Sequence, residues 1–177
     1  IGTFAIQLAH LLGAKVGTTV STGNVELVRN LGADEVVDYK KQEFEKVLRG
    51  YDVVLGTLRG DTIAKSVDTL NRGAMIVSLI GPLDVAFARA KGLSFIVRFV
   101  LGLMSRKIVR LARKRGVNYS FLFVRPDGKQ LGEIGDLLES ERIRPVIDKV
   151  FPFDQAKEAL DYLAQGRAKG KVVVRIK

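Results

Sequence analysis

The sequence has no cysteine, no tryptophan, one histidine and four prolines. Lacking cysteine, it cannot form disulfide staples, thiolate zinc sites, iron–sulfur ligation or a cysteine nucleophile. The lone His10 rules out a multi-histidine metal site within this chain. No apolar run reaches the roughly 18 residues of a membrane span, and the first residues lack the order of a secretory signal. What remains is 177 residues, 47% of them hydrophobic, enough for one domain or one domain plus part of another. That apolar content excludes wholesale disorder, and together these features predict a cytoplasmic protein. Basic side chains outnumber acidic ones 29 to 19, a net charge of +10. The chain opens on Ile1-Gly2-Thr3 and enters a helical pattern with no strand before it, which predicts the middle of a larger protein.

The strongest regularity is helix, then Gly-Ala, then strand. Phe4, Leu8, Leu11 and Leu12 recur at helical spacing, and Gly13 fits the left-handed residue that closes a helix. Lys15 to Val20 is β-branched and strand-like. Asn24 is placed to cap a helix that Gly32 stops, and Glu35 to Val37 forms the next strand. A short helix near 43–48, a strand at 52–55, a helix from an Asp61 cap to Leu70 ended by Gly73, and a strand from Ala74 to Ile80 continue the rhythm. Apolar strands separated by helices predict a parallel sheet covered on both faces, hence an α/β doubly wound, Rossmann-like fold lacking its first strand. Ligands of such sheets lie beyond the carboxyl ends of the strands. Past Pro82 the pattern predicts one long helix over 92–116, a strand over 119–124, a helix over 129–141, a strand over 145–150, a helix from an Asp154 cap to Gln165 and a last strand over 172–176.

Two features carry the chemistry. Gly2 stands where the last glycine of a dinucleotide fingerprint precedes its helix, although one glycine is equally a plain helix start. About twenty residues on, where an NAD enzyme places an acid on the ribose, the chain has Val20-Ser21-Thr22-Gly23-Asn24 and no carboxylate. Small hydroxyl and amide groups there accept a 2′-phosphate without repelling it, which favours NADP(H) over NAD. Tyr39, ending the next strand, is placed to close the adenine–ribose pocket.

Three segments together resemble the C-terminal half of a medium-chain dehydrogenase/reductase: residues 1–9 (Ile1-Gly2-Thr3-Phe4-Ala5-Ile6-Gln7-Leu8-Ala9), residues 31–39 (Leu-Gly-Ala-Asp-Glu-Val-Val-Asp-Tyr) and residues 166–173 (Gly-Arg-Ala-Lys-Gly-Lys-Val-Val). The zinc-independent, NADP-dependent quinone oxidoreductase-like branch is the nearest in pattern, and residues 119–128 and 143–148 resemble it too. The resemblance implies that Ile1 and Gly2 end the pyrophosphate turn, and that Ser21 and Tyr39 recognise the 2′-phosphate. It implies that Thr57 lies beside the cofactor and that Leu79, Ile80 and Gly81 run along the nicotinamide ribose. Phe121, Leu122 and Phe123 match a strand whose backbone pairs with the carboxamide, and Lys171 matches a basic position near the cofactor. It further implies a cofactor domain over 1–141, a segment over 142–177 returning to a missing N-terminal catalytic domain, a small-molecule substrate and a homodimer. The strands near 145–150 and 171–176 would then lack their usual partners or pair with another copy.

The rival motifs are weaker. Gly166 to Lys171 has three residues, not four, between its glycines and no Ser or Thr after the lysine, so it is not a Walker loop. His10 has no ligand cluster in its sequence neighbourhood and reads as a solvated or helix-packing side chain. Arg106, Lys107, Arg110, Arg113, Lys114 and Arg115 supply six of the ten net charges. Such a run is usually a solvated face. The alternative is a non-enzymatic nucleotide-fold module that binds nucleic acid or an anionic surface through this basic helix. The leading expectation is the NADP(H)-binding portion of an oxidoreductase that reduces a quinone, enone or carbonyl by hydride transfer, inactive as this chain alone.

Overall fold

The computed structural model describes residues 1–58, 60–166 and 168–176. Arg59, Arg167 (within the segment 166–173 read above) and Lys177 lie outside the described residues. Two compact units emerge: residues 1–41 with those from 127 onward, and residues 42–126. Every strand pair described in them is parallel, and helices with parallel sheets give the Rossmann-like arrangement predicted above.

In the first unit, helix α1 (Gly2–Leu11) leads into β1 (Gly17–Val20), α2 (Val25–Asn30) and β2 (Glu35–Asp38). β1 and β2 pair with Val20 opposite Asp38. Their core is Ile6, Val16, Val28 and Ala33; on α1 it is Ile6 that is buried, whereas Leu8 and Leu12 of the repeat noted in the sequence are exposed. Both Gly13 and Gly32 have left-handed φ, 78° and 100°, and the residue after each donates back to the helix, Ala14 to Ala9 and Ala33 to Val28. Gly32 answers a second demand, because a Cβ there would sit 2.7 Å from Cγ of His10. The histidine is thus a packing side chain laid over the end of α2. The same unit holds α7 (Gly128–Glu139), β6 (Ile147–Pro152), α8 (Ala156–Ala164) and β7 (Lys171–Arg175). β6 and β7 pair with each other in a two-stranded sheet. Gln7 ties this segment to α1, since its Nε2 donates to the Arg144 carbonyl and its Oε1 accepts from the Arg144 amide, each at 2.9 Å.

In the second unit, α3 (Phe44–Val47), β3 (Tyr51–Gly56), α4 (Thr62–Ser66), β4 (Leu70–Ser78), α5 (Val85–Ala90), α6 (Phe95–Lys114) and β5 (Asn118–Phe121) build one sheet in the order β3-β4-β5. Ile76, on the central strand, is fully buried among Ile63, Val67, Ile108, Ala112 and Val117. The expected cover on both faces fails here. α4 and α6 cover one face, while Val53, Leu55 and Met75, which alternate to the other, are exposed.

Several boundaries differ from the sequence reading. The helix expected to run to Leu70 is α-helical to Ser66 and continues as a 3-10 turn over Val67–Thr69, and β4 begins at Leu70 with Gly73 inside it, where the pairing to β3 changes register between Tyr51 and Val53. Asp61 holds the N-cap position of α4 as expected, but its carboxylate makes no cap bond and lies 3.6 Å from the Lys65 ammonium. Two helices follow Pro82: α5, which the sequence reading did not anticipate, and then α6, which answers the long helix expected over 92–116. The Asp84 carboxylate starts the first by accepting from the Phe87 amide at 2.7 Å, an N-cap that the apolar periodicity concealed.

Candidate functional site

In the first unit, the carboxyl ends of β1 and β2 lie side by side, because the Tyr39 amide donates to the Val20 carbonyl at 3.0 Å. Ser21 is extended (φ −78°, ψ 157°) and opens a one-turn 3-10 segment, Thr22–Asn24, ahead of α2. Asn24 does not cap α2 with its side chain as expected. Its Nδ2 donates instead to Ser21 Oγ at 3.3 Å, which leaves the serine proton to be given outward. Its Oδ1 is buried with no hydrogen-bond partner. An orphaned acceptor beside an outward hydroxyl is what a ligand carrying hydroxyl and phosphate groups would complete.

Asp38 bears directly on charge selectivity. Sequence reading put no acid after Val20, yet pairing in register brings this carboxylate to the same loop. It is not presented outward. Oδ2 accepts from Thr22 Oγ1 at 2.7 Å, Oδ1 accepts from the Lys40 amide at 3.0 Å, and the Lys41 ammonium lies 3.8 Å away. The Thr22 hydroxyl above all holds the Asp38 carboxyl below its ordinary value against desolvation, the next largest effect, with the Lys40 amide and the neighbouring lysines adding to the lowering. A carboxyl lowered on folding stabilises the fold above its unfolded value and loses that contribution as pH falls through the folded one. Accordingly, the Lys40 amide should exchange faster with solvent only below about pH 3.8, the usual carboxyl value. Thr22→Val should move that onset upward; an Asp38 titration at or above the usual value in the parent protein would refute the assignment.

The rim is basic. Lys40 and Lys41 follow Tyr39, and Lys169 reaches from the segment before β7 to the Gly23 carbonyl at 3.4 Å. Lys171 lies over the Phe4 ring, 5.8 Å from Nζ to the centroid, so it stands beside the first turn of α1 that begins at Gly2. That turn carries no acidic residue, and Ile1 gives it no side-chain cap. A Cβ at Gly2 would meet nothing within 4 Å, so nothing described in the chain itself demands glycine there. Sequence reasoning missed Asp38 and Lys169 as members of this loop. A strand-end acid was visible, but only register could place it.

In the second unit, the ends of β3, β4 and β5 align, with Gly56 opposite Ser78 and Ser78 opposite Phe121. Thr57, Leu79, Ile80, Gly81, Leu122 and Phe123 therefore gather along one sheet edge, as expected from the order of strands. The Leu79 amide donates to Gly56 and the Leu122 amide to Ser78, each at 2.9 Å. The Phe121 amide donates to Asp84 Oδ2 at 3.2 Å. Two of the three amides read as partners of a ligand carboxamide are thus engaged inside the protein. Gly81 is fitted tightly, since a Cβ would stand 2.5 Å from Ser78 Oγ and 2.6 Å from the Tyr119 hydroxyl oxygen. The Gly81 amide donates to Ser78 Oγ at 2.7 Å, and the Tyr119 hydroxyl donates to the Pro82 carbonyl at 2.8 Å. Burial pushes the Tyr119 phenol above its usual value, so it serves as a neutral donor. Phe87 packs edge-on to Phe121 at 5.6 Å and against Phe123 at 5.8 Å.

This chain is 38% identical over 99% of its length to a zebrafish (Danio rerio) protein named NAD(P)H oxidoreductase RTN4IP1, mitochondrial, of which the match covers 46%. It is 32% identical over 98% of its length to the NADPH-dependent alkenal/one oxidoreductase, chloroplastic, of Arabidopsis thaliana, covering 37% of that protein. The chain thus spans less than half the length of these curated relatives. Among solved structures, the quinone oxidoreductase of Coxiella burnetii superposes with a TM-score of 0.74 at 24% identity, over 98% of this chain and 49% of that one, and so shares its fold. The sequence profile described as zinc-binding dehydrogenase matches residues 31–174, and by that match the chain belongs to this family, within the medium-chain dehydrogenase/reductase superfamily.

Proposed function

We propose that this chain is the NADP(H)-binding portion of a zinc-independent oxidoreductase whose complete form reduces a quinone, enone or carbonyl compound. The observation that carries the reading is the β1–β2 loop. It combines a Ser21 hydroxyl set to donate outward, an orphaned Asn24 acceptor, basic Lys40, Lys41 and Lys169 at the rim, and an Asp38 carboxylate turned onto its own loop. Such a loop suits a ribose bearing a 2′-phosphate, to which an outward carboxylate would be repulsive. The relatives named for NAD(P)H and NADPH support the same cofactor class. When bound, the cofactor supplies a hydride donor. In the first unit the α1 N-terminus and Lys171 are read as facing its phosphates, and Ser21 and Tyr39 as facing its adenosine end; for the second unit's Thr57, Leu79, Ile80 and Gly81 the reading toward the nicotinamide end rests on the family resemblance alone. With the Phe121 and Leu122 amides engaged internally, backbone pairing to the carboxamide falls to Phe123 and to carbonyl oxygens of that strand.

Zinc does not fit this chain's donors, despite the family's description. The sequence has no cysteine and a single histidine, and the described residues contain no cluster of three or more potential ligands. The proposal retains 1–141 as the cofactor domain and 142–177 as the segment completing a catalytic domain. It also retains a homodimer and a cytoplasmic setting, although two of the relatives are named for a mitochondrion and a chloroplast.

The test is titration of this chain with NADPH and with NADH by cofactor fluorescence. NADPH should bind more tightly, and Ser21→Ala should weaken NADPH by about tenfold or more while leaving NADH unchanged, as expected for losing one hydrogen bond to a charged group. Tyr39→Ala should act in the same direction. Equal or tighter NADH binding by the parent chain would defeat the Ser21 assignment, and robust NADPH-dependent turnover by this chain alone would defeat its reading as a portion.

A further inference from the structure

All of the chain's net charge comes from one stretch of the second unit. Residues 85–126 contain ten Lys and Arg and no Asp or Glu, and the remaining 19 basic residues match the 19 acidic ones. The spine of that stretch is α6, twenty residues and so about 30 Å long. Its inner face is set by Leu101, Ser105, Ile108 and Ala112, all buried. At 100° per residue, the opposite face is one stripe about 120° wide, and its character changes halfway along. The first half shows Phe95, Ile96, Phe99 and Leu103, with Phe95 80% and Phe99 60% exposed. The second half shows Arg106, Lys107, Arg110, Arg113 and Lys114, also exposed. Lone surface apolar residues are ordinary, but a row of aromatic and branched side chains on a helix that is already packed on its other side is not.

We infer that the outward stripe of α6 docks obliquely on an anionic lipid surface, with its phenylalanine half entering the headgroup–acyl boundary and its basic half lying along the headgroups. Each half finds its complement there, apolar side chains in the acyl boundary and cations at lipid phosphates and carboxylates. Two other occupants satisfy only one half. A nucleic acid would neutralise the bases and leave the phenylalanines in water. A second copy pairing along the whole stripe would set bases against bases if parallel, or bury them against phenylalanine if antiparallel. No helix among the described residues is long and apolar enough to cross a membrane, so the contact is one of surface adhesion. The inference does not depend on the cofactor assignment.

Co-sedimentation of the 177-residue chain with phosphatidylcholine vesicles, with and without phosphatidylserine, tests it. Binding should require phosphatidylserine and weaken as salt is raised. Arg110→Gln, Arg113→Gln and Lys114→Gln combined should weaken it by roughly tenfold or more. Phe95→Ser with Phe99→Ser should weaken it at unchanged charge. These positions are all exposed, and circular dichroism would confirm that the variants keep the parent's helix. Absence of binding, equal binding to neutral vesicles, or either variant binding like the parent overturns the inference. So does a DNA duplex bound more tightly than the vesicles through the same bases, or an α6-mediated dimer that the serine pair dissociates.

Discussion

Asp84→Ala is expected to cost about 2–4 kcal/mol of unfolding free energy, measured by chemical denaturation. The carboxylate is buried and makes two bonds from two oxygens: Oδ1 accepts from the Phe87 amide at 2.7 Å and Oδ2 from the Phe121 amide at 3.2 Å. Alanine would leave the first turn of α5 without its cap and the end of β5 without a partner, and an unsatisfied buried donor costs more than an average bond is worth. The damage would reach the candidate site, because Phe121 ends the strand whose next residues, Leu122 and Phe123, stand on that sheet edge. Asn can keep only one of the two acceptors and turns an NH2 toward the other amide, so it should fall between the parent and Ala. Parent-like stability in Asp84→Ala would show that neither bond matters.

Gly170→Ala is the second large effect. A Cβ at that position would stand 2.2 Å from the Val146 carbonyl oxygen and 2.8 Å from its carbon. The obstacle is backbone, which cannot swing aside as a side-chain tip can, and that same oxygen accepts the Lys171 amide at 2.7 Å. Accommodation means separating the start of β7 from the chain leading into β6. The strain of overpacking and the lost bond together amount to about 2–4 kcal/mol. Lys171 would be displaced from the Phe4 ring at the start of α1. Gly132→Ala provides the contrast, since nothing lies within 4 Å of a Cβ in that helical position and the change should stabilise by about 0.5–1 kcal/mol. If the two alanines behaved alike, close approach at Gly170 would not be the operative constraint.

The elements most legible in the sequence were those set by local periodicity. α1, β1, α2 and β2 follow a helical repeat ended by Gly13, a β-branched run, and a second helix ended by Gly32, and each signal lies within a few residues of the element that it makes. Where local signals competed, the boundaries moved. Val67 to Gly73 carries helix-compatible apolar spacing, but pairing with β3 takes Leu70 onward into β4. Residues 82–94 hid α5 because its signal is one capping aspartate rather than a long apolar repeat.

The candidate site divides in the same way. Strand ends name Ser21, Tyr39, Thr57, Gly81 and Phe123 as residues at ligand height, because strand polarity can be read along the chain. The partners of those residues cannot. Asp38 meets Thr22 across sixteen positions, Phe121 meets Asp84 across thirty-seven, and Lys169 meets Gly23 across one hundred and forty-six. Composition and periodicity by themselves determined a parallel α/β chain with an excess of positive charge and no cysteine-ligated metal site. Only the tertiary structure decided that the nearby carboxylate is consumed, that Asn24 is left with an unmet acceptor, and that the face of α6 turned to solvent is half apolar and half basic. The reason is physical: periodicity is a property of neighbours along the chain, whereas hydrogen-bond satisfaction and exposure are properties of neighbours in space.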